Sequence, residues 1–182
     1  RERNLAAYFR RRRGNVRRTG PSGAGQQPYK NPPLRRRRKR GAQNQAIGVT
    51  KGGRNSKIHA VVDELCRPWV LVLTPGNTAD CVMAEECVSL IPGVMQLLAD
   101  KGYDTDAFRA FLKKNGIKAV IPPKSNRKMR IRYDKQVYKG RNVVERCFCR
   151  LKDFRRIATR YDKLARNFFS ALCFVATLAY WL

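Results

Sequence analysis

Residues 94–121 read VMQLLADKGYDTDAFRAFLKKNGIKAVI, two short apolar runs on either side of an amphipathic helical pattern. The first run, residues 94–99, ends at Asp100 and a Lys-Gly turn, and the second, residues 117–121, ends at two prolines. Between them a helix can begin at a polar cap and end at Gly116. Two strands joined by such a helix pair in parallel through a right-handed crossover, so the segment predicts an α/β fold.

The chain before this unit predicts an antiparallel pair of strands. Residues 57–62 and 68–73 are apolar runs of strand length, and a turn at Asp63 separates them. After a Pro-Gly break, Asp80 can cap a helix that runs to about residue 90.

The chain after the unit predicts a basic loop and two helices. The loop covers residues 124–135, a long helical pattern runs from about residue 137 to 160, and a last helix covers residues 164–182. The apolar run 168–182 is shorter than the roughly 20 residues that a bilayer span needs. We therefore expect a buried terminal helix rather than a membrane anchor, in a mixed sheet with helices packed on its faces.

The composition predicts a polyanionic partner. The chain has 40 Lys and Arg against 13 Asp and Glu, a formal charge of +27 that is spread along its whole length. Nucleic acid fits this distribution better than a membrane surface, which favours cations along one amphipathic stripe. A single histidine and the lack of a Cys-x-x-Cys pair argue against a zinc site, and six cysteines without a signal peptide indicate reduced thiols in a cytoplasm.

Residues 1–40 have a composition that predicts disorder. Two arginine-rich runs, residues 10–13 and 35–40, flank a stretch of Gly, Pro and Gln with little hydrophobic periodicity. Such a segment buries too little apolar surface to offset the entropy lost on ordering. We expect a basic disordered tail at residues 1–40 and a folded domain at residues 41–182.

Asp100 is the first candidate for chemistry. It stands at the carboxyl end of a predicted buried strand, the edge at which open α/β sheets bind ligands. The alternative is a carboxylate that only caps a turn.

A second candidate is a set of polar residues spaced for one helix face: Tyr138, Arg141, Glu145 and Lys152. At about 100° per residue they span an arc of about 60°. The opposite, apolar face contains Val143, Val144, Cys147, Leu151 and Phe154. One carboxylate is thus held among cations; the alternative is a solvated face with an Arg–Glu pair that contributes a few tenths of a kcal/mol.

Five segments, in order along the chain, carry a resemblance to a known family. They are residues 51–63 (KGGRNSKIHAVVD), 73–77 (LTPGN), 99–104 (ADKGYD), 121–127 (IPPKSNR) and 155–163 (RRIATRYDK). Together they resemble the DDE transposases of bacterial insertion sequences, most closely the lineage of insertion sequence 5 within the group of insertion sequence 4. The helix quartet matches that group's Tyr-Arg-Glu-Lys signature, and the resemblance covers about residues 41–182.

The resemblance implies a ribonuclease-H-like fold and metal-dependent cleavage and transfer of DNA strands at transposon ends. It implies that Asp100 and Glu145 are the second and third catalytic carboxylates, lie close together, and bind Mg²⁺ (or Mn²⁺), since two hard cations roughly 3.5–4 Å apart activate the attacking hydroxyl. The resemblance also implies contacts with double-stranded DNA for Tyr138, Arg141, Lys152, Lys124 and Arg127. A homo-oligomer in the active complex and a location at the bacterial nucleoid, in the cytoplasm, are also implied.

The chain departs from the family at the first carboxylate, which normally lies on the first strand of the sheet. Residues 3–62 contain no Asp or Glu, so we expect this strand to be missing or altered and the activity of the chain to be in doubt. Asp63 falls at a hairpin turn and is no substitute. His59 matches a family position, but it is one isolated imidazole for which we expect a structural role.

The acid-free segment supports two interpretations. A basic composition without periodicity is what GC-rich coding DNA gives when it is read out of frame, so residues 1–40 are expected to be a shifted-frame translation. A genuine disordered DNA-binding arm is the alternative. For the whole chain, the alternative to a transposase is a noncatalytic basic nucleic-acid-binding protein, which the charge alone would favour.

Overall fold

The structure, a computed structural model, describes residues 45–51, 53–129 and 131–182, and the backbone of residues 5–11. The described strands are β1 (Leu5–Arg11), β2 (Gly48–Thr50), β3 (Gly53–Val62), β4 (Pro68–Pro75), β5 (Val94–Leu98) and β6 (Lys118–Val120). The described helices are α1 (Ala84–Ser89), α2 (Asp106–Lys114), α3 (Lys135–Tyr138), α4 (Asn142–Lys152), α5 (Arg155–Ala158) and α6 (Ala165–Tyr180). Short 3-10 turns lie at Asp80–Val82, Lys101–Tyr103 and Lys139–Arg141.

Five strands form the main sheet in the order β4-β3-β1-β5-β6, and β2 pairs with the start of β3. β3 and β4 are antiparallel, with Ile58 opposite Leu73. β5 and β6 are parallel, with Leu97 opposite Ala119, and α2 connects them. The predicted hairpin, the strand–helix–strand unit and the α/β class are therefore confirmed.

β1 occupies the middle of the sheet, where a missing or altered strand was expected. Leu5–Tyr8 pair with β3, and Tyr8–Arg11 pair with β5. The prediction of disorder is therefore wrong for residues 5–11; for the rest of residues 1–40 it lies outside the described residues. The physical reason is that Leu-Ala-Ala-Tyr-Phe is an apolar run of strand length, and β3 and β5 each present an edge of backbone groups that need partners.

The direction of β1 decides which ends of the strands meet. β1 is parallel to β3 and antiparallel to β5. The carboxyl ends of β5 and β6 and the amino end of β3 therefore lie together, at what we call the Asp100 edge, whereas β1 ends at the opposite edge. β1 contains no Asp or Glu, so it brings no carboxylate to the centre of the sheet.

Two apolar clusters hold the helices on the two faces of the sheet. Alternate residues of a strand face opposite sides. Val61 joins the cluster beneath α1 and α2, which includes Phe108, whereas Ile58 and Val62 join the cluster beneath α4 and α6, which includes Phe168. Burying each of these large side chains stabilises the fold by roughly 1.5–3 kcal/mol.

The helical region after the basic loop is shorter and more divided than predicted. α3, a 3-10 turn and α4 follow one another without a gap from Lys135 to Lys152. Gly140, a poor helix former, lies in that turn. Phe154, predicted on the apolar face, is 40% exposed because α4 ends before it and its own backbone is extended. The other residues predicted for that face are buried.

The remaining helices follow the predictions with smaller differences. The helix expected from Asp80 to about residue 90 is a 3-10 turn followed by α1. α6 packs one side on the sheet, with Phe168 and Leu172 buried and Phe174 exposed. Within the part of the chain that the structure describes, no helix is long and apolar enough to cross a bilayer.

A proline at Ala7 tests the central position of β1. Proline lacks the N–H donor that a central strand needs, so Ala7→Pro should lower the free energy of unfolding by about 3 kcal/mol, measured by urea denaturation. Ala7→Gly keeps the donor and should cost at most about 1 kcal/mol. Equal stability of Ala7→Pro and the wild type would show that β1 is not part of the folded sheet.

Candidate active site

Asp100 lies where the sequence places it, directly after β5 at the Asp100 edge. Its side chain is half-buried and caps the Lys101–Tyr103 turn, where Oδ1 accepts a hydrogen bond of 2.8 Å from the backbone N–H of Gly102. The capping role that was the alternative interpretation is therefore real. It fixes the carboxylate at the edge and does not by itself exclude a second role.

A second acid, Asp80, lies beside Asp100. A Cβ added to Gly102 would come 2.9 Å from Asp100 Oδ1 and 3.3 Å from Asp80 Oδ2, so both carboxylates crowd one glycine. Burial first, and then the charges of these two acids, raise the pKa of Tyr103 well above its ordinary value. The absence of a side chain at Gly102 is thus what lets the two carboxylates approach the same turn.

Lys57 neutralises Asp80. Its Nζ lies 2.6 Å from Asp80 Oδ1 and donates a second hydrogen bond of 2.6 Å to the carbonyl oxygen of Thr78. From the sequence, Asp80 is predicted only as a helix cap, and Lys57 has no predicted role beyond its strand. The available signal was Lys57 itself, because a lysine within a buried strand needs a carboxylate partner.

Three members of the predicted Tyr-Arg-Glu-Lys quartet are linked through Arg141. Arg141 forms an ion pair with Glu145, and its guanidinium lies 5.8 Å from the centre of the Tyr138 ring. The Tyr138 ring in turn meets Tyr133 edge to face at 5.5 Å. Glu145 is 57% exposed in its side chain, so it can reach a ligand in solvent.

Tyr138 connects this stripe to Asp100. Burial raises the pKa of Tyr138, the charge of Arg141 opposes that effect, and the charge of Asp100 adds to it. β1 packs against both the Lys139–Arg141 turn and α4. Asp100 thus lies near enough to Tyr138 for its charge to act on that side chain, and Arg141 contacts both Tyr138 and Glu145. Lys152 is half-buried seven residues further along α4, roughly 10 Å from Glu145 along the helix axis.

The two DNA-binding candidates of the basic loop differ in their surroundings. Arg127 is paired with Asp104 at 2.9 Å and with Asp106 at 2.7 Å, and 16% of its side chain is exposed. Lys124 donates its backbone N–H to Asp104 Oδ2 at 2.8 Å, and its side chain is partly exposed. Arg127 therefore anchors the loop, whereas the Lys124 side chain is more available to a ligand.

Asp104 is the centre of that anchor. Its side chain is fully buried, and it also accepts a hydrogen bond of 2.6 Å from Arg109. Burial alone would raise the pKa of Asp104, but the Lys124 N–H and the Arg127 and Arg109 guanidiniums outweigh it and lower the pKa to about 2. The loop after β6 is thereby tied to the turn that follows Asp100.

His59 and Asp63 have the structural surroundings expected for them. His59 is buried, its Nε2 lies 2.8 Å from Thr74 Oγ1, and burial lowers its pKa to about 4. Asp63 holds the β3–β4 turn by accepting hydrogen bonds from the backbone N–H groups of Leu65 and Arg67.

Oxygen ligands for a hard cation are present at this edge, but they are few. Among residues 45–51, 53–129 and 131–182, no three His, Cys, Asp or Glu side chains lie close enough together to hold a metal ion. Mg²⁺ often takes one or two protein carboxylates and completes its shell with water and phosphate oxygens. Asp100 and Glu145 can each supply one such carboxylate, but the described residues do not supply a full carboxylate set for a pair of ions.

Comparison with known proteins places the chain among transposases. Residues 30–182 match the family described as transposase DDE domain. Over 115 residues the chain is 39% identical to a Brucella ovis protein named as a transposase for insertion sequence element IS6501, covering 62% of this chain and 88% of that protein. Over 121 residues it is 31% identical to a Burkholderia cepacia protein named as a transposase for insertion sequence element IS402, covering 60% of this chain and 55% of that protein. The chain thus spans about half of the second relative, and no solved structure matches it.

The Asp104 anchor makes the stability of the chain sensitive to acid. Because its folded pKa of about 2 lies below the ordinary 3.8, Asp104 stabilises the fold above about pH 4 and loses this effect as the pH falls towards 2. Asp104→Asn should therefore lower the free energy of unfolding at pH 7 by about 3 kcal/mol, and by less at pH 2.5. Asp106→Asn, whose side chain is 89% exposed, is the control and should change it by less than about 1 kcal/mol. Urea denaturation at the two pH values measures both losses of unfolding free energy. An equal loss at pH 7 and pH 2.5 would contradict the pKa of about 2 for Asp104.

Proposed function

Because the chain belongs to the transposase DDE domain family, we propose that it acts on DNA as the strand-cleaving domain of a bacterial insertion-sequence transposase. Transposase is the function named for the family and for both relatives. The observation that best supports a role in chemistry is that the charge of Asp100 acts on Tyr138, whose ring lies beside Arg141, the partner of Glu145. A ribonuclease-H-like arrangement of the sheet and the insertion sequence 5 lineage are parts of the same proposal.

Asp100 and Glu145 are the proposed catalytic carboxylates and metal ligands. Members of this family use divalent metal ions, and we propose Mg²⁺ (or Mn²⁺) here because carboxylate oxygens are hard ligands. When bound, such an ion supplies Lewis-acid activation of the attacking hydroxyl and stabilises the leaving oxygen. Lys57 and Gly102 support this site by holding Asp80 and the Asp100 turn in place.

The cations near the two carboxylates are proposed to hold the DNA backbone. Arg141 now pairs with Glu145, and it lies where it can instead bind a phosphate. Tyr138, Lys152 and Lys124 are half-buried, and we propose that they add phosphate contacts. Arg127 is assigned an indirect part, because its ion pairs with Asp104 and Asp106 position the Lys124 loop.

The central strand supplies no carboxylate to the proposed catalytic site. We propose that residues 1–40 are a shifted-frame translation and that β1 takes the place of a strand that would carry the first carboxylate. Two features support this: β1 has no acid, and its carboxyl end lies at the edge opposite Asp100. If the frame that encodes residues 1–40 is instead the natural one, the same features favour the second candidate function, a noncatalytic DNA-binding protein.

The proposal extends to the assembly and the cell. An insertion sequence has two ends, so we propose that two or more copies act together on transposon ends and target DNA. A charge of +27 fits a protein held on the nucleoid of a bacterial cytoplasm.

Mn²⁺ binding tests the assignment of the carboxylates without requiring turnover. The full chain is titrated with Mn²⁺, and the free ion is measured by electron paramagnetic resonance. We expect the wild type to bind Mn²⁺ at least about tenfold more tightly than Asp100→Asn or Glu145→Gln. Asp153→Asn removes an exposed carboxylate just beyond α4 and should bind like the wild type. Unchanged binding by Asp100→Asn and Glu145→Gln, or an equal loss in Asp153→Asn, would remove the support for this metal site.

A further inference from the structure

The β2–β3 hairpin has no role in the proposed catalytic site. Two residues separate its paired strands at the tip, and Gly53 there has a φ of 93°, which favours glycine. Residues 45–57 contain the cations Lys51, Arg54 and Lys57 and no acid. Lys51 and Arg54 are exposed at the tip, whereas Lys57 is buried at the base in its pair with Asp80.

The hairpin projects beyond the sheet at the Asp100 edge. Val62, Tyr8 and Leu98 are level with one another across β3, β1 and β5, and Asp100 follows Leu98 by two residues. Gly53 precedes Val62 by nine residues in the direction of the same edge. At 3.3 Å per residue the tip therefore lies roughly 23 Å beyond the level of Asp100. This reach corresponds to about seven base pairs of B-DNA.

The base of the hairpin is held from two sides. Gly76 donates its backbone N–H to the Asn55 carbonyl oxygen at 3.1 Å, and a Cβ on Gly76 would overlap the Asn55 side chain. On the other side, Arg160 donates to the Gln45 carbonyl oxygen at 2.6 Å and to the Ser56 hydroxyl. Three of the five segments that resemble the transposase family thus meet here, and they hold the base of the cationic hairpin in place.

We propose that the β2–β3 hairpin is a DNA-binding element whose Lys51 and Arg54 contact backbone phosphates about seven base pairs from the strand at Asp100. This inference rests on the proposed function, since it needs duplex DNA at the Asp100 edge. Exposed cations that lie far from any carboxylate in sequence neutralise phosphates and release counterions. The hairpin would set the direction of the duplex across the site and take no part in the reaction.

The salt dependence of DNA binding counts such contacts directly. The full chain and the double variant Lys51→Ala/Arg54→Ala are titrated with a 30-base-pair duplex between about 50 and 200 mM salt. We expect the plot of log binding constant against log salt concentration to be shallower by about 2 for the variant, since each phosphate contact contributes about 0.9 to the slope. Lys51→Arg/Arg54→Lys keeps both charges and should keep the slope. The matched control is Lys113→Ala/Lys114→Ala, which removes two exposed charges at the end of α2, at the opposite edge of the sheet, and should leave the slope unchanged.

The outcomes distinguish a role of the hairpin from DNA binding by the chain as a whole. A lower slope in Lys51→Ala/Arg54→Ala alone, with urea denaturation unchanged, supports the hairpin. An equal change in the Lys113→Ala/Lys114→Ala control, or no change in either, overturns the hairpin and leaves the proposed function standing. Failure of the wild-type chain to bind the duplex with any salt dependence would overturn both.

Discussion

The backbone hydrogen bonds of β1 join two halves of the sheet that share no other described strand. On one side lie β2, β3 and β4, and on the other lie β5 and β6. An unfilled gap between β3 and β5 would leave two rows of buried peptide groups without partners, at a cost of about 1–3 kcal/mol for each group. α4 and the turn before it also pack on β1. The distance between Asp100 on one half and Glu145 on α4 therefore depends on what occupies this gap.

The ion pairs show how a chain with so large a positive charge builds an ordered edge. Its few acids near the site each serve more than one partner: Asp80 binds Lys57 and lies at the Asp100 turn, and Asp104 binds two arginines and a backbone N–H. Burying these cations with carboxylates and carbonyl oxygens fixes the loops that surround Asp100. The cations that remain exposed, including those at the hairpin tip, are available to bind a polyanion.

Local patterns in the sequence predicted most of the fold and the core of the candidate site. Alternating and helical periodicity predicted the β3–β4 hairpin, the strand–helix–strand unit and α6 to within a few residues, because burial of one face determines these patterns. Periodicity also placed Tyr138, Arg141 and Glu145 on one stripe. The ion pairs of Asp80 and Arg127 were not predicted, since their partners, Lys57 and Asp104, each lie 23 residues away in sequence. β1 was missed because a short apolar run in a basic, irregular segment gains its order only from the open strand edges on either side.

Cleavage of DNA that carries the element's ends tests the proposal that Asp100 and Glu145 are catalytic carboxylates and that the middle strand lacks the first carboxylate of the set. The measurement is Mg²⁺-dependent nicking by the chain as it stands, compared with a fusion in which the alternative upstream reading frame is joined to Gly41. We predict that the fusion frame encodes an apolar strand with an Asp. We also predict that the fusion nicks the DNA at least about a hundredfold faster, because the chain as it stands lacks one carboxylate that would stabilise the transition state. Equal nicking by the two proteins, or an upstream frame without such a strand, would contradict it.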